Sequence, residues 1–368
     1  MVDLPLSHPA GRRCVARVAP NRHTRLPYPS SPQVAVFTNT RSWGIVASMD
    51  RVAEILGLLY DRRDGFFSLD ELASAAGMPR ATLDAALKVL RERGHLLDIS
   101  PAHGVRLAEP VHMDAHLVER DLGTRRVGRH AICFGEVDST NDVAFSLAGQ
   151  DDADGVAVLA DSQRAGRGRM GRSWLSTPGQ NVLMSVLLID AEGLIAHEAL
   201  TIAAGLAVAQ GVEDAVGVAC TLKWPNDVLL ESAKLAGVLV EIRRVQQMRC
   251  VVVGMGINVN AAPPRDRTTV PAICLAEALG HAVERLELCR AVLRRLDEWV
   301  AEISRGRFEA LHDEWMARCG IINERLRVQC AGRRYVGRVL DVSPAEGLIL
   351  CDDQGRRVHL PAETSSTL

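Results

Sequence analysis

The feature that most restricts the fold is the stretch Gln163–Trp174, QRAGRGRMGRSW, together with the residues that follow it. Its three glycines have the spacing of a dinucleotide-binding loop, but in that motif a helix starts directly after the glycines. Here the chain passes Pro178 and Gly179 and enters NVLMSVLLID, an apolar run that favours a strand. No Gly-Lys-Ser/Thr sequence follows for a P-loop either. The stretch is therefore predicted to link two strands, which excludes both nucleotide-binding folds.

The same stretch, called here the glycine-arginine loop, carries four arginines: Arg164, Arg167, Arg169 and Arg172. Arginine binds phosphate or carboxylate bidentately, and glycine lets a backbone approach an anion and lets a loop open and close. A nucleic-acid surface would need a wider basic patch with aromatic side chains, and Trp174 is the one aromatic residue nearby. Between a solvated loop and a ligand-binding loop, these residues favour a site for a small anion.

The composition of the 368 residues is that of a globular protein with two or three domains, since 47% are hydrophobic. Lys and Arg number 43 against 45 Asp and Glu, so no overall charge favours nucleic acid or a membrane surface. The nine cysteines show no C-x-x-C pair and no metal-ligand spacing, which is typical of reduced cysteines in a cytoplasmic protein. No apolar run approaches about 18 residues, so no transmembrane helix is expected.

Residues 1–48 differ from the rest, with six arginines, six prolines and a single acidic residue. Such a segment could be an organellar transit peptide, but the prolines would interrupt any amphipathic helix. We expect a disordered extension, or a start codon assigned too early with Met49 as the true first residue.

Residues 49–108 have the pattern of a winged helix-turn-helix domain. Three helical segments are followed by HLLDISPAHGVRLAEP, which is typical of two short strands around a tip at residues 102–104. Ser68 and Glu71 have capping-box spacing at the start of the second helix, and Pro79 and Gly94 bound the third. A small helical protein-binding domain is the alternative that the pattern leaves open.

From about residue 120, strands alternate with helices, which predicts an α/β or α+β domain over residues 120–320. Its strands are rich in valine and leucine. The helical residues 275–319 contain Trp299, Phe308 and Trp315 as expected core residues. Residues 321–368 show short alternating strands broken by glycine turns, which predicts a small SH3-like β-barrel.

Four further motifs accompany the glycine-arginine loop: EVDSTN, LKWPNDV, KLAGVLVE and GMGINVN. Each alone is explained equally well by ordinary turn and strand chemistry. In this order, across about residues 132–260, the five motifs resemble those of the biotin–protein ligases. The resemblance extends to the order of domains, because a winged helix, a ligase core and a small barrel are similar to the bifunctional ligase-repressors. It implies a class II synthetase-like catalytic domain with a mixed sheet.

The resemblance implies a two-step reaction that uses biotin, ATP and Mg²⁺. Biotin and ATP form biotinyl-5′-adenylate and pyrophosphate, and a lysine of a biotin carboxyl carrier domain then accepts the biotinyl group as an amide. A lipoate–protein ligase is the alternative enzyme, although GRGRxGR and KWPND resemble the biotin branch. A transcription regulator that uses the site only as a sensor is the alternative from another class. A cytoplasmic protein without a membrane segment is expected.

The resemblance also gives expected roles to residues of this chain. Those expected around the biotin headgroup are Ser139, Thr140, Asn141 and Gln163. Those expected in the loop that folds over the ligand are Arg167, Gly168 and Arg169. Those expected at the nucleotide and Mg²⁺ are Trp174, which would cover the adenine, Asn226 and Asn258. Those expected to be catalytic are Lys234, which would contact the biotin carboxyl oxygens, Arg169, and Asp227 as a contact for metal or acceptor lysine.

The predicted winged helix departs from what DNA binding requires. The face of its third helix opposite Leu83, Leu87 and Leu90 carries one cation against two acids, with Arg80 at its edge. Its residues are Ala81, Asp84, Ala85, Lys88 and Glu92. A recognition helix normally offers polar and basic groups to bases and phosphates. We therefore predict weak DNA binding, while a repressor role stays open because a ligand-driven homodimer would double the contacts.

Overall fold

The N-terminal part of the chain forms helices and a hairpin in the computed structural model, which describes residues 37–38 and 46–367 except 192, 194 and 269. The elements are β1 (Phe37–Thr38), α1 (Val46–Asp61), α2 (Leu69–Ala75), α3 (Arg80–Glu92), β2 (Leu97–Ser100) and β3 (Gly104–Leu107). β2 and β3 pair antiparallel, so the three helices and the hairpin lie where the sequence predicts them. The prediction of a disordered extension over residues 1–48 falls mostly outside the described residues. It does not hold at residues 37–38, which pair with β4 (Ala131–Val137), or at residues 46–48, which begin α1.

Side-chain hydrogen bonds explain where α2 begins. Ser68 Oγ accepts the Glu71 N–H at 3.1 Å, so the first half of the predicted capping box forms. The second half does not form, because the Glu71 carboxylate lies 2.5 Å from the Arg62 guanidinium. A charged donor is a stronger partner for a carboxylate than a backbone N–H, which accounts for the difference.

A buried cluster of histidines lies where the N-terminal elements meet helix α4 (Ala115–Glu119). Asp114 caps α4 by accepting the His116 N–H at 2.9 Å, and its other carboxylate oxygen lies 3.3 Å from Nε2 of the buried His95. The His112 ring packs edge-on against His95, with 5.5 Å between ring centroids. Burial lowers the pKa of His112 and of His116, so the fold holds both rings neutral.

We expect His112 and His116 to destabilise the folded state as the pH falls below about 6.5, the ordinary histidine pKa. Because the folded-state pKa values of His112 and His116 are lowered, the unfolded chain takes up protons first as the pH falls. His112→Gln should therefore show a smaller drop in thermal midpoint between about pH 7.5 and about pH 5.5 than the wild type. His281→Gln, at an exposed ring, serves as the control. An equal drop in His112→Gln and wild type would contradict this origin.

An eight-stranded mixed sheet forms the centre of the chain. Besides β1, its strands are β4 (Ala131–Val137), β5 (Ala157–Gln163), β6 (Val182–Ile189), β7 (Thr221–Lys223), β8 (Asp227–Leu230), β9 (Ala233–Val245) and β10 (Met248–Ile257). Their order is β1-β4-β5-β6-β10-β9-β8-β7. β4 and β5 are parallel and are joined through α5 (Thr140–Leu147), while the other neighbouring pairs are antiparallel. This mixed sheet, with helices between its strands, confirms the predicted α/β or α+β fold class.

The glycine-arginine loop connects β5 to β6, which pair antiparallel. The loop itself contains a single 3₁₀ turn, Arg169–Gly171, and no α-helix follows its glycines before β6 begins. The prediction that this stretch links two strands is confirmed, and a dinucleotide-binding βαβ unit is excluded.

Helices cover both faces of the central sheet. On one face α6 (His197–Val216) packs along α8 (Arg285–Ser304), and α9 (Phe308–Arg318) contacts both; the short α7 (Leu275–Leu279) precedes α8. On the other face α5 packs through Phe145 against the sheet residues Val158 and Val252. Trp299 and Trp315 are buried as predicted.

Helix α6 is long and apolar enough, by length and composition, to cross a membrane. No apolar run of this length is expected from the sequence, yet an 18-residue window of this 20-residue helix has a mean hydropathy of 1.3. In the fold, 72% of the apolar stretch is buried inside the protein. Packing between the sheet and α8 therefore accounts for the apolar composition of α6.

A second sheet forms the C-terminal part of the chain. Its strands are β11 (Arg325–Cys330), β12 (Arg333–Ser343), β13 (Gly347–Cys351), β14 (Arg357–Leu360) and β15 (Ser365–Thr367). They run antiparallel in the order β14-β13-β12-β11-β15 and bury Val328, Val339 and Leu350 on one face. β15 is an edge strand, and it places the end of the described chain beside the glycine-arginine loop.

Candidate active site

A cavity of about 400 Å³ opens where the glycine-arginine loop lies over the central sheet. Its walls come from the start of α5, the turn between β7 and β8, strands β9 and β10, and the edge strand β15. The structure brings every sequence-predicted site residue to this one cavity: Ser139, Thr140, Asn141, Gln163, Arg167, Gly168, Arg169, Trp174, Asn226, Asp227, Lys234 and Asn258.

One end of the cavity is lined by uncharged hydrogen-bonding groups at the start of α5. Gln163 Oε1 accepts the Thr140 backbone N–H at 2.8 Å and the Thr140 hydroxyl at 3.1 Å. The hydroxyl of Ser185 lies 2.6 Å from both Thr140 Oγ1 and Asn141 Oδ1. Ser139, Thr140 and Asn141 are each at most 4% exposed. Such a preorganised neutral set suits a polar but uncharged ligand group.

Two glycines of the GMGIN motif let other site residues approach the sheet closely. A methyl group at Gly254 would lie 2.3 Å from Oδ1 of Asn141, and one at Gly256 would lie 2.4 Å from Cε2 of Trp174. Neither distance is compatible with a side chain. Glycine at these positions therefore provides the space that Asn141 and the Trp174 indole occupy.

The opposite end of the cavity contains a lysine paired with a carboxylate. Lys234 Nζ lies 2.6 Å from Asp227 Oδ1, and each side chain is about a quarter exposed or less. The same Nζ lies 5.7 Å from the ring centroid of Trp174. A cation beside an aromatic face and an open cavity can bind an anionic ligand while the aromatic ring covers it.

Two buried polar atoms at this end have no hydrogen-bond partner among the described residues. They are Oδ1 of Asn258, a residue only 1% exposed, and Nε1 of Trp174. Asn258 Nδ2 lies 3.4 Å from the backbone oxygen of Lys234, and Asn226 Nδ2 donates to the Val238 carbonyl at 2.7 Å. Buried polar groups are nearly always paired, so these free atoms indicate a ligand or ordered water.

The glycine-arginine loop is folded back on itself over the cavity. Residues 167 and 173 form an antiparallel bridge, and Gly168 N–H donates to the Arg172 carbonyl at 2.7 Å. The Trp174 N–H donates to the Gly166 carbonyl at 2.8 Å, which carries the indole onto the sheet. These backbone hydrogen bonds set the shape of the loop.

The loop arginines have different partners. Arg169 donates to the backbone carbonyls of Ala362 and Ser365, the latter at 2.8 Å, and burial lowers its pKa. Arg167 forms a bidentate pair with Asp142. Arg164 pairs with Asp138 at 2.7 Å on the exposed surface. The sequence places Arg169 at the ligand, but in this structure its guanidinium binds the C-terminal backbone.

Sequence reasoning gave no individual ligand role to several residues of this site. Three cations line the cavity with neither an ion pair nor a side-chain hydrogen bond among the described residues: Arg172, Lys223 and Arg267. Lys223 could have been found from its place in LKWPND, whereas Arg267 lies in a connection with no motif. Ser185 was not predicted either, because a serine within an apolar strand does not indicate a binding site until its contact with Thr140 is known.

The geometry agrees with comparisons to known proteins. A model of the biotin/lipoate A/B protein ligase family matches residues 134–258, which contain every sequence-predicted site residue. The biotin–[acetyl-CoA-carboxylase] ligase of Mycobacterium tuberculosis is 33% identical over 258 residues, covering 67% of this chain and 94% of the relative. This chain belongs to the biotin protein ligase family. The membership predicted from five ordered motifs is confirmed.

Other biotin protein ligases match more of the chain or its fold. The bifunctional ligase/repressor BirA of Bacillus subtilis is 29% identical over 306 residues, covering 82% of this chain and 94% of the relative. The structure of the biotin protein ligase from Aquifex aeolicus in complex with biotin and ATP has a TM-score of 0.56 and 27% identity. The match covers 65% of this chain and 99% of the Aquifex aeolicus chain.

Proposed function

We propose that this biotin protein ligase activates biotin with ATP in the 400 Å³ cavity and then passes the biotinyl group to a lysine of a biotin carboxyl carrier domain. The observation that carries this assignment is the pairing of a neutral, buried hydrogen-bonding end with a cationic end in one cavity. Biotin has the matching chemistry, with an uncharged ureido ring at one end and a carboxylate at the other.

At the neutral end, Ser139, Thr140, Asn141 and Gln163 would hold the ureido ring of biotin. Each can donate or accept a hydrogen bond without adding charge. The contacts of Thr140 with Gln163 and of Asn141 with Ser185 fix these groups before a ligand arrives. Preorganisation lowers the entropic cost of binding and fixes where the carboxylate points.

At the cationic end, Lys234 would neutralise the biotin carboxylate as it meets the α-phosphate of ATP. Two anions repel strongly in a site that excludes water, so cations must offset their charges. Arg172, Lys223 and Arg267 are available for the remaining phosphates, because no acidic partner is described for them. Trp174 would cover the adenine.

When bound, Mg²⁺ would supply further charge neutralisation on the phosphates. The oxygen donors available to hold it are the side chains of Asn226, Asp227 and Asn258, of which Asn258 Oδ1 is unpartnered. Among the described residues no group of three or more His, Cys, Asp or Glu side chains could hold a metal. This donor set fits Mg²⁺, which usually keeps phosphate and water ligands.

The glycine-arginine loop would keep water from the biotinyl adenylate until the acceptor lysine arrives. A mixed anhydride is susceptible to hydrolysis, and a closed loop excludes water from it. The loop is held from two sides, by Arg167 at α5 and by Arg169 at the C-terminal chain. Asp227, which pairs with Lys234, would meet the incoming acceptor lysine.

The assignment is tested by supplying ATP with either biotin or lipoate and measuring pyrophosphate release. We expect release with biotin, followed by labelling of one lysine when a carrier domain is added. Equal release with lipoate would contradict the proposed headgroup site. No release with either acid would show that the cavity does not form an acyl adenylate.

We also propose domain roles for the flanking elements. Residues 49–108 have the helix and hairpin order of a winged helix-turn-helix, and residues 321–368 have the strand order of a small SH3-like barrel. Residues 120–320 would form the catalytic domain, and the cytoplasm would be the site of action. Residues 1–48 would be an extension that contributes β1 to the edge of the central sheet. A repressor role through a ligand-driven homodimer is the alternative to this assignment.

We predict that isolated chains bind DNA weakly. Two cations of the proposed winged helix are paired locally: Arg80 lies 3.2 Å from Asp70, and Arg106 lies 2.9 Å from Asp98. Arg91, which the sequence analysis omits, is an exposed cation on α3. With two or three phosphate contacts, a plot of the logarithm of the DNA-binding constant against the logarithm of salt concentration would have a slope of about −2 to −3.

A mobility-shift titration with the protein's own upstream DNA, biotin and ATP at about 150 mM salt measures this affinity. We expect no specific complex at nanomolar protein. Tight, sequence-specific binding would show instead that ligand-driven dimers act as a repressor.

A further inference from the structure

Four charged side chains form a closed network beside the glycine-arginine loop: Arg167, Asp142, Glu241 and Arg243. Arg167 binds Asp142 through two hydrogen bonds of 2.5 and 2.9 Å, and its Nη2 lies 3.1 Å from Glu241 Oε2. Asp142 lies on α5, Glu241 and Arg243 lie on β9, and Arg167 lies on the loop. The network therefore joins the loop to two fixed elements.

Glu241 also contacts the neutral end of the cavity. Its Oε2 accepts a hydrogen bond of 2.7 Å from Asn141 Nδ2, and the same oxygen lies 3.1 Å from Arg167. Asn141 is 4% exposed and lines the cavity. Glu241 Oε2 thus accepts hydrogen bonds both from Arg167 of the loop and from Asn141, which is proposed to bind the ureido ring.

Arg243 is a second cation for the same two carboxylates. Its Nη2 lies 3.1 Å from Asp142 Oδ1 and 3.1 Å from Glu241 Oε1. Its guanidinium is 4.2 Å from the ring centroid of Phe145, a contact that keeps it beside the carboxylates. When the loop carries Arg167 away, Arg243 still pairs both acids.

We propose that Asp142 and Glu241 are positioning residues that hold the loop closed through Arg167, and that Arg243 weakens this hold by competing for the same two carboxylates, with Asp142 Oδ1 shared by both arginines. The inference rests on the proposed function in that the loop encloses the adenylate. With Arg243 present, opening leaves both carboxylates paired. Without it, opening would leave two neighbouring carboxylates without a cation, so the closed loop would be favoured more strongly.

Substitutions of Asp142 and of Arg243 are therefore expected to change the frequency of loop opening in opposite directions. Asp142→Asn removes a charged partner of Arg167 and should open the loop more often. Arg243→Met keeps a long apolar stem against Phe145 but removes the competing charge, so it should open the loop less often. A residue with a merely structural role would loosen the loop in either case.

Limited trypsin digestion of the free full-length protein measures loop opening directly, because the loop contains four arginines. We expect cleavage within the loop to be roughly threefold or more faster in Asp142→Asn and slower by a similar factor in Arg243→Met. Asp214→Asn, which breaks a bidentate pair with Arg295 on the helical face, is the matched control and should not change the rate. Arg243→Lys keeps a cation and should fall between the wild type and Arg243→Met.

Release of biotinyl adenylate from the loaded enzyme should follow the same order as cleavage. Rates that change in the same direction in Asp142→Asn and Arg243→Met, or in neither, would overturn the proposal. If the wild type forms no adenylate, the proposed function fails, and the cleavage rates of the free protein still decide the role of the network. Thermal midpoints near that of the wild type establish that each variant is folded.

Discussion

Lys234→Ala is expected to lower biotin-dependent adenylate formation on the order of a hundredfold or more. Lys234 Nζ lies 2.6 Å from Asp227 Oδ1, and the lysine side chain is 24% exposed. Its removal would leave the Asp227 carboxylate facing the carboxylate of biotin with no cation between them. Removing one partner of a largely buried pair costs about 3–5 kcal/mol, and 1.4 kcal/mol corresponds to about tenfold.

Pyrophosphate exchange that depends on biotin measures this loss without a carrier protein. Lys88→Ala, at a lysine side chain 79% exposed on α3, is the control and should exchange normally. A Lys234→Ala variant with near-normal exchange would show that another group neutralises the carboxylate.

Arg169→Gly is expected to leave adenylate formation largely intact and to speed adenylate release roughly tenfold or more. The Arg169 guanidinium donates to the carbonyls of Ala362 and Ser365, which ties the loop to the C-terminal chain. Hydrogen bonds from a charged donor contribute about 1.5–3 kcal/mol, so their loss favours the open loop. Glycine also gives the loop more conformational freedom.

The released adenylate is detected by biotin labelling of lysines on an added bystander protein. Arg164→Gly is the matched control, because Arg164 belongs to the same loop but pairs with Asp138 at the exposed surface. Retention of adenylate in Arg169→Gly as tight as in the wild type would separate Arg169 from loop closure.

The fold could be predicted from the sequence wherever a local pattern determines the structure. Alternating valines and leucines predict β9 and β10, and Ser68 begins α2 as its spacing indicates. The partner of the Glu71 carboxylate could not be predicted. Its ion pair with Arg62 depends on how the two residues come together in the fold, not on the capping-box spacing. The apolar character of α6 shows the same limit, since its burial depends on α8, about ninety residues later.

The site residues that belong to family motifs could be predicted from the sequence. The hydrogen-bond and ion-pair partners of those residues could not. Arg167 was expected in the loop, but Glu241 lies 74 positions away and Asp142 lies 25 positions away. Such pairs form only when α5, β9 and the loop pack together, so local sequence spacing does not predict them. The target of Arg169 is still more distant, at 196 positions.

The contacts of Arg169 with the C-terminal chain involve only backbone oxygens. A carbonyl is the same in almost every amino acid, so replacing the exposed side chains of residues 363 and 364 would leave the acceptors in place. An insertion or deletion between β14 and β15 would instead carry the carbonyls away from the guanidinium. The contact of Arg169 with this segment therefore depends on the segment's length more than on its exposed side chains.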